Sequence, residues 1–410
     1  MTCLKNNGRP LVLDFIAENP IIYVLIAWVV ILATAKGLRL ERYGVELKIY
    51  SLVYKNRGVQ TLLTRMLSRT RRGIAIFADL SVVAGFGMMG FAFWFLGANI
   101  ANYFVEPSEF AEVTVLIPGV TVTSASAILY FLLSIPIVLI MHEGAHGIVA
   151  ALEKIRIKTG GFAIFVALFA GFVEPDEEEF TKAKKISKLR VIGAGATANV
   201  AFAMILGALL LTNPVFAIIL PDPLTDIFYE SPDGMMIVSV MEGFGAERAG
   251  ILANDIIIGI GDAEIATPAD FAVIELMPGQ VADITVLRGE QVLVFPVEIM
   301  PAPDDPERGL MGILRDDSFA YKPIYDFIQW DNAQLSLFLL WLWMISFFIG
   351  IINMLPLPIL DGGKFIHSII EGKISEKGVN NVMWGTYAFT FALFMLNIAL
   401  SYAKAGWITI

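Results

Sequence analysis

The stretch Ala127–Leu152 reads AILYFLLSIPIVLIMHEGAHGIVAAL and places three ionisable side chains inside a long apolar run. A helix needs about 20 mainly apolar residues to cross a lipid bilayer, and this stretch is long enough. His142, Glu143 and His146 lie well inside the run. Ionisable groups at that depth are costly to bury and are usually functional. The stretch therefore predicts a membrane-spanning helix that carries a polar site.

The rest of the chain is similarly apolar. Hydrophobic residues make up 57% of the 410 residues and charged residues only 17%, which is too apolar for an ordinary soluble enzyme. We therefore predict a polytopic α-helical membrane protein with about six spans. The predicted spans are Pro20–Ala35, Gly73–Ala98, Ala127–Leu152, Leu189–Leu211, Leu335–Leu355 and Val382–Ala403.

The distribution of charge predicts the orientation of these spans. Lys36–Arg72 carries ten Lys and Arg against two Glu, a net charge of +8, and basic loops of this kind stay in the cytoplasm. Alternation of the spans then places Pro221–Gln334, with 21 acidic and five basic residues, outside the cell. Within the basic loop, apolar residues from Val59 to Leu67 recur at helical spacing. An interfacial amphipathic helix on anionic lipid and a solvated basic loop fit this pattern equally well.

A shorter apolar segment, Gly160–Val173, reads GGFAIFVALFAGFV. It is short for a span, rich in β-branched and aromatic residues and bracketed by glycines, so we predict a re-entrant or membrane-surface β-hairpin. A short seventh helix is the alternative. That helix would invert the orientation of everything downstream and separate the two halves of the site described below.

The predicted outer segment contains a small soluble domain at about residues 233–300, where short β-type runs alternate with glycines and turns. The part Gly234–Asp262, GMMIVSVMEGFGAERAGILANDIIIGIGD, resembles a PDZ domain of the protease-associated kind. The resemblance implies a small α+β domain that adds an extended peptide, such as a substrate tail, to a sheet edge. A β-domain that binds nothing is the alternative.

The motif His142-Glu143-Gly-Ala-His146 predicts a metal site. Residues i and i+4 of a helix lie one turn apart on the same face, so both imidazoles can bind one zinc ion. Glu143 lies about 100° round the helix, close enough to take a proton from a water molecule on the metal. With one cysteine and three histidines in the sequence, a thiolate cluster is excluded, and other ligands must be His, Asp or Glu.

A catalytic zinc ion takes a third protein ligand and keeps one position open for water. The candidates are Asp361 and His367, and Asp361 lies in the segment Asn353–Gly363, NMLPLPILDGG. Two prolines in this segment favour extended backbone, so the fifth span should unwind here, as is tolerated around a buried polar site. His142 and Asp361 then both lie late in spans that run in the same direction. We therefore favour Asp361 and interpret His367 as solvated or structural.

With these motifs the sequence resembles the site-2 protease family of intramembrane zinc metalloproteases. The resemblance rests on His142–His146, on Asn353–Gly363 and on Gly195-Ala-Thr-Ala-Asn199 in the fourth span. It covers most of the chain from about Ala127 onward. Where the family often has proline after the first glycine of the third motif, this chain has Ala196.

The resemblance implies a role for each of these residues. One zinc ion per chain would be held by His142, His146 and Asp361, and Glu143 would act as general base and then as general acid. Lesser roles, in positioning the substrate or bracing the site, are implied for Asn353 and Asn199. The hairpin is similar to the family's membrane-dipping β element, and we expect it to present an edge strand to a substrate.

We therefore expect a zinc metalloendopeptidase that cuts single-pass membrane proteins in or near their spans, as in regulated intramembrane proteolysis. Its site would face the cytoplasmic side of the cell membrane, with the PDZ-like domain outside and no nucleic-acid partner. A metal-dependent carrier and an inactive PDZ-type receptor are the alternatives. The expected domains are 1–126 (two spans and the basic loop), 127–220 (first part of the catalytic core), 221–334 (outer segment) and 335–410 (second part of the core).

Overall fold

The structure is a computed structural model of the chain. It describes residues 20–406, apart from 57, 166–167, 221, 231–233, 242, 254, 267–269, 272, 290, 303–306, 316–320 and 326–331. The chain forms two compact units, one of residues up to Met204 and from Trp341 onward, the other of Ile205–Leu340. The domain boundaries expected at 126, 220 and 334 stay predictions.

Long apolar helices dominate the described chain. Five of the helices are long and apolar enough to cross a membrane: Val59–Val105, Ala125–Leu152, Lys185–Leu210, Ala333–Asn353 and Glu376–Ala405. These five helices coincide with five of the six predicted spans. The sixth predicted span, Pro20–Ala35, falls on the helix Pro20–Gly37, which is not one of the five, so it stays a prediction. The helices are α1 (Pro20–Gly37), α2 (Val59–Val105), α3 (Ala125–Leu152), α4 (Glu177–Lys182), α5 (Lys185–Leu210), α6 (Asp222–Phe228), α7 (Gly245–Ala249), α8 (Ala333–Asn353), α9 (Asp361–Ile370) and α10 (Glu376–Ala405).

The basic segment before the second span is folded. α2 begins at Val59 and leaves helical geometry only at Thr70, where φ is −130° and ψ is 23°. The helix predicted from Val59 to Leu67 is thus confirmed, and the solvated-loop alternative is wrong for this part; its contact with lipid stays a prediction. The residues before it form two strands, β1 (Val45–Lys48) and β2 (Ser51–Asn56), which the sequence analysis missed.

These two strands join the predicted hairpin in one antiparallel sheet. The hairpin consists of β3 (Ile157–Phe165) and β4 (Leu168–Pro175), so the predicted hairpin is confirmed and a seventh helix is wrong, whereas its re-entrant or membrane-surface location stays a prediction. The strand order is β1-β2-β3-β4, which covers one edge of β3 with β2 and leaves β4 at the border of the sheet. The helix α3 packs against β4.

The chain unwinds between α8 and α9, as its prolines predict. α8 ends at Asn353 and α9 begins at Asp361, with Pro356 and Pro358 between them. Two glycines let the first turn of α9 fold back on this segment. A Cβ atom at Gly362 would lie 2.1 Å from the Met354 carbonyl oxygen, and one at Gly363 would lie 2.4 Å from that of Leu357.

Small residues bring the helices of the first unit together. Ala145 and Val149 of α3 share a buried cluster with Ala194 and Ala198 of α5. A second cluster joins α5 and α9 to the unwound segment around Phe365, which is fully buried. These clusters fix the relative positions of α3, α5 and α9.

The second unit is built around a six-stranded sheet. Five of its strands lie side by side in the order Gln291–Glu298, Val281–Arg288, Ile256–Ile260, Met235–Val240 and Ile313–Arg315, and the sixth, Ala263–Glu264, pairs with Ile256–Ile260. It has its own buried core, which includes Ile237, Ile257 and Ile284. The expected small β-rich domain is therefore present, and its PDZ character stays a prediction. The strands of this unit are β5 (Tyr229–Glu230), β6 (Met235–Val240), β7 (Ile256–Ile260), β8 (Ala263–Glu264), β9 (Val281–Arg288), β10 (Gln291–Glu298), β11 (Met300–Pro301), β12 (Gly309–Leu310), β13 (Ile313–Arg315) and β14 (Lys322–Pro323).

Candidate metal centre

The two histidines of the motif point to one place from successive turns of α3. The Nε2 atoms of His142 and His146 are 3.1 Å apart, and the ring planes are nearly perpendicular, at 83°. His142 is only 5% exposed. The i, i+4 spacing thus produces the paired imidazoles that the sequence predicts.

Asp361 joins the histidine pair from the other half of the unit. Its Oδ2 atom lies 3.2 Å from Nε2 of His142 and 3.0 Å from Nε2 of His146. Asp361 is the first residue of α9, and the residue is 7% exposed. Its second oxygen, Oδ1, lies 3.4 Å from Nζ of Lys364. The unwinding after α8 is what brings this side chain to α3.

The three atoms fit a zinc ion. Zinc binds imidazole nitrogen and carboxylate oxygen at about 2.0–2.2 Å, and tetrahedral ligands at that radius lie about 3.3–3.6 Å from one another. The observed separations of 3.0–3.2 Å are a few tenths of an ångström shorter, so a small outward movement of the three side chains would seat the ion. Two imidazoles and one carboxylate are also the donor set of catalytic zinc sites, in which a fourth position stays open.

The helix α5 supplies the outer contacts of both histidines. Nδ1 of His146 lies 2.7 Å from the carbonyl oxygen of Val191, so its N–H donates to that oxygen and Nε2 is left for a metal. Nδ1 of His142 lies 3.2 Å from the side-chain amide of Asn199, which is fully buried. The family resemblance implied that Asn199 positions substrate or lines and braces the site, and in the structure its side-chain amide contacts His142.

Gly195, named above only as the first residue of the third motif, lies against the two histidines, and this contact was not predicted from the sequence. It lies between the two α5 contacts, and a Cβ atom there would come within 2.3 Å of Nε2 of His146 and 2.8 Å of Nε2 of His142. One signal of this contact is visible in the spacing of residues along α5. Val191, Gly195 and Asn199 are spaced by four, which puts all three on one face of the helix.

Glu143 contacts the edge strand of the sheet. The main-chain N–H of Val173 in β4 donates to Oε2 of Glu143 at 2.9 Å. Gly171 lies beside the same side chain, since a Cβ atom at that position would be 2.9 Å from Cγ of Glu143. The predicted general base and the predicted hairpin therefore meet at the border of β4.

The remaining predicted residues take separate positions. Asn353 is half-buried at the last residue of α8. His367 is half-exposed, and its Nδ1 atom lies 3.8 Å from Oε2 of Glu371, so the structure does not bring it into the cluster. Of the two candidates for third ligand, only Asp361 meets the histidine pair.

Comparison with known proteins places these residues in a family context. The profile of peptidase family M50 matches residues 130–396, which include both histidines of the pair and Asp361. An uncharacterized protein of Methanocaldococcus jannaschii is 24% identical over 83% of this chain and 82% of its own length.

Two named proteases are also similar. The zinc metalloprotease RasP of Oceanobacillus iheyensis is 28% identical over 37% of this chain and 46% of that protein. The probable protease eep of Enterococcus faecalis is 27% identical over 49% of this chain and 54% of that protein. Each of these two alignments thus spans about half of the relative's length.

Proposed function

Because the chain belongs to peptidase family M50, we propose that it is a membrane zinc metalloprotease that hydrolyses peptide bonds in or near the spans of other membrane proteins. The observation that carries the proposal is the convergence of His142, His146 and Asp361 within a unit built from long apolar helices. The names of two relatives, a zinc metalloprotease and a probable protease, support it.

The cluster assigns a task to each side chain. When bound there by His142, His146 and Asp361, zinc supplies a Lewis acid for the scissile carbonyl and lowers the pKa of water toward about 7. Glu143 takes the proton of the attacking water and later gives it to the leaving nitrogen. Since Oε2 of Glu143 accepts the N–H of Val173, we assign this proton transfer to Oε1.

The sheet provides a reason why a membrane helix can be cut. A helix hides its peptide bonds in internal hydrogen bonds, so a substrate must unwind, and its freed amides need partners inside the membrane. An edge strand supplies such partners by β-addition. β4 is at the border of its sheet and contacts Glu143, so we assign it to hold the unwound substrate beside the reacting groups.

The proposal extends to substrates and orientation. The positive-inside tendency favours a site toward the cytoplasm, and the acidic composition of Pro221–Gln334 agrees with an outer location. The substrates would be single-pass membrane proteins, released in a regulated cut. A PDZ-like domain in the second unit would take an extended substrate tail.

The Glu143→Gln variant tests the proposal. Zinc content and cleavage of a single-span substrate are measured on purified protein in detergent. We expect zinc to be retained and cleavage to fall about 10²–10⁴-fold, because that is the usual contribution of general acid–base catalysis. Chelation should abolish cleavage by the wild type, and added zinc should restore it.

The exposed Glu177→Gln substitution in α4 is the matched control and should leave cleavage unchanged. Normal cleavage by Glu143→Gln would show that the catalytic assignment is wrong. A wild type that transports zinc without cutting would support the carrier instead. A wild type that binds substrate tails without cutting would support the receptor.

A further inference from the structure

The side chain of Asn199 raises a hydrogen-bonding problem beside the metal centre. Its amide nitrogen Nδ2 lies 3.2 Å from Nδ1 of His142, and the residue is fully buried. Its amide oxygen Oδ1 is buried and has no hydrogen-bond partner among the described residues. The backbone is well held, since the hydroxyl of Ser346 donates to the Asn199 carbonyl oxygen at 2.9 Å. A buried amide oxygen without a partner is costly, so the arrangement calls for an explanation.

The chemistry of His142 supplies the explanation. A neutral imidazole that offers the lone pair of Nε2 to a metal carries its hydrogen on Nδ1, so Nδ1 must donate. An amide NH₂ group can only donate as well, and two donors do not bond. A half-turn of the Asn199 amide exchanges its oxygen and nitrogen without moving any other atom. The oxygen then accepts from Nδ1–H of His142, and the NH₂ group takes the buried position that the oxygen holds in the structure.

We propose that Asn199 is a positioning residue, whose amide oxygen accepts the Nδ1–H of His142 and so fixes the tautomer that binds zinc. The proposal rests on the proposed metal centre and adds a residue to it. Asn199 acts through His142 and touches neither metal nor substrate in this role. Partners of this kind orient a metal ligand and raise its basicity.

The second histidine provides an internal comparison. His146 already has such an acceptor, the Val191 carbonyl oxygen at 2.7 Å from its Nδ1. Val191 and Asn199 lie two turns apart on the same face of α5, with Gly195 between them close to both Nε2 atoms. The helix α5 therefore supplies one acceptor to each histidine, a backbone carbonyl for one and a side-chain amide for the other.

Zinc affinity of the full-length protein in detergent tests the proposal, measured by competition with a chromogenic chelator and without any substrate. Asn199→Leu keeps the branched heavy-atom skeleton of the side chain and removes the acceptor, so its dissociation constant for zinc should rise about 10–100-fold. Asn199→Asp keeps an acceptor and should stay within about 3-fold of the wild type, because a carboxylate is a common partner of zinc-bound histidine. Thr197→Val, on the same helix, is the control and should bind zinc like the wild type.

The outcomes separate this proposal from the proposed function. If Asn199→Leu binds zinc as tightly as the wild type, or if a folded Asn199→Asp binds as weakly as Asn199→Leu, the acceptor role is wrong. Thermal melting of each metal-free variant shows whether it has folded. If Asn199→Asp has not folded, the test is the ratio of the zinc dissociation constants of Asn199→Leu and Thr197→Val. A wild type that binds zinc but cuts nothing overturns the protease and leaves the role of Asn199 intact.

Discussion

At the scale of single residues, Gly195 gives the sharpest prediction. The Gly195→Ala variant should lose zinc affinity by at least about 10-fold, because its methyl group would lie 2.3 Å from Nε2 of His146, in the space of the metal ligands. Gly144→Ala is the matched control, since a Cβ atom there meets nothing within 4 Å. The zinc affinity of the purified variants, measured by competition with a chromogenic chelator, checks both. A wild-type affinity in Gly195→Ala would contradict the close approach of α5.

The same residues show what a sequence can predict about a site. His142 and His146 are paired by helical geometry alone, and the prolines before Asp361 indicate the break in the fifth span. The contacts of Gly195 and Asn199 could not be predicted in this way. They depend on which face α5 turns toward α3, and that is fixed by packing between small residues such as Ala145 and Ala194.

At the scale of elements, substitutions at two neighbouring positions of β4 distinguish its outer edge from the edge that pairs with β3. The N–H of Val173 points outward to Glu143, and amides alternate along an antiparallel strand, so that of Phe172 points toward β3. Proline removes the N–H at either position. Val173→Pro also removes the hydrogen bond to Oε2 of Glu143, so it should slow cleavage of every substrate. If the unwound substrate takes over this N–H, a helical substrate should be slowed about 5-fold more than an already extended peptide, since one hydrogen bond contributes about 1 kcal/mol.

Phe172→Pro is the comparison, because it removes a bond within the hairpin and should slow both substrates alike. Initial rates on the two substrates, compared as a ratio, give the measurement. An unchanged ratio in Val173→Pro would count against β-addition at this edge.

Elements also differ in how far their sequence predicts them. The hairpin β3–β4 is local, and its glycines and β-branched residues were sufficient to predict it. β2 pairs with β3 across about a hundred residues of chain, with Val53 opposite Ala163. The charged residues in and around β2 obscure the alternation of apolar and polar residues that is typical of a strand. No local feature of the sequence indicates that β2 pairs with so distant a strand.

At the scale of the whole molecule, the second unit has a core of its own and a buried ion pair that can be tested separately. Asp255 is 1% exposed, and its carboxylate accepts two hydrogen bonds from Arg288, at 2.6 and 2.7 Å. Burial raises the pKa of Asp255, but the bonds from Arg288 and from the N–H of Leu252 outweigh it and hold the pKa below its usual value. Asp255→Asn should therefore destabilise this unit by about 2 kcal/mol.

The pH dependence follows from the sign of that shift. A carboxyl group whose pKa is lowered by folding contributes its full stability above its ordinary value of about 3.9 and loses it as the pH falls through the lowered one. The wild-type unit should thus lose stability below about pH 4, and Asp255→Asn should lack this component. Limited proteolysis between pH 3 and pH 7 measures it, with the zinc content of both proteins at pH 7 as the control. Equal protection of both proteins at pH 7 would contradict the prediction.

The separation of the metal ligands along the chain has a thermodynamic consequence. His146 and Asp361 are 215 residues apart, so one ion held by both would tie the polypeptide into a ring that contains the entire second unit. The entropy lost in closing such a ring grows only with the logarithm of its contour, by about 0.6 kcal/mol for each doubling. Insertion or removal of a whole domain inside the ring would therefore change the entropic cost of ion capture only slightly.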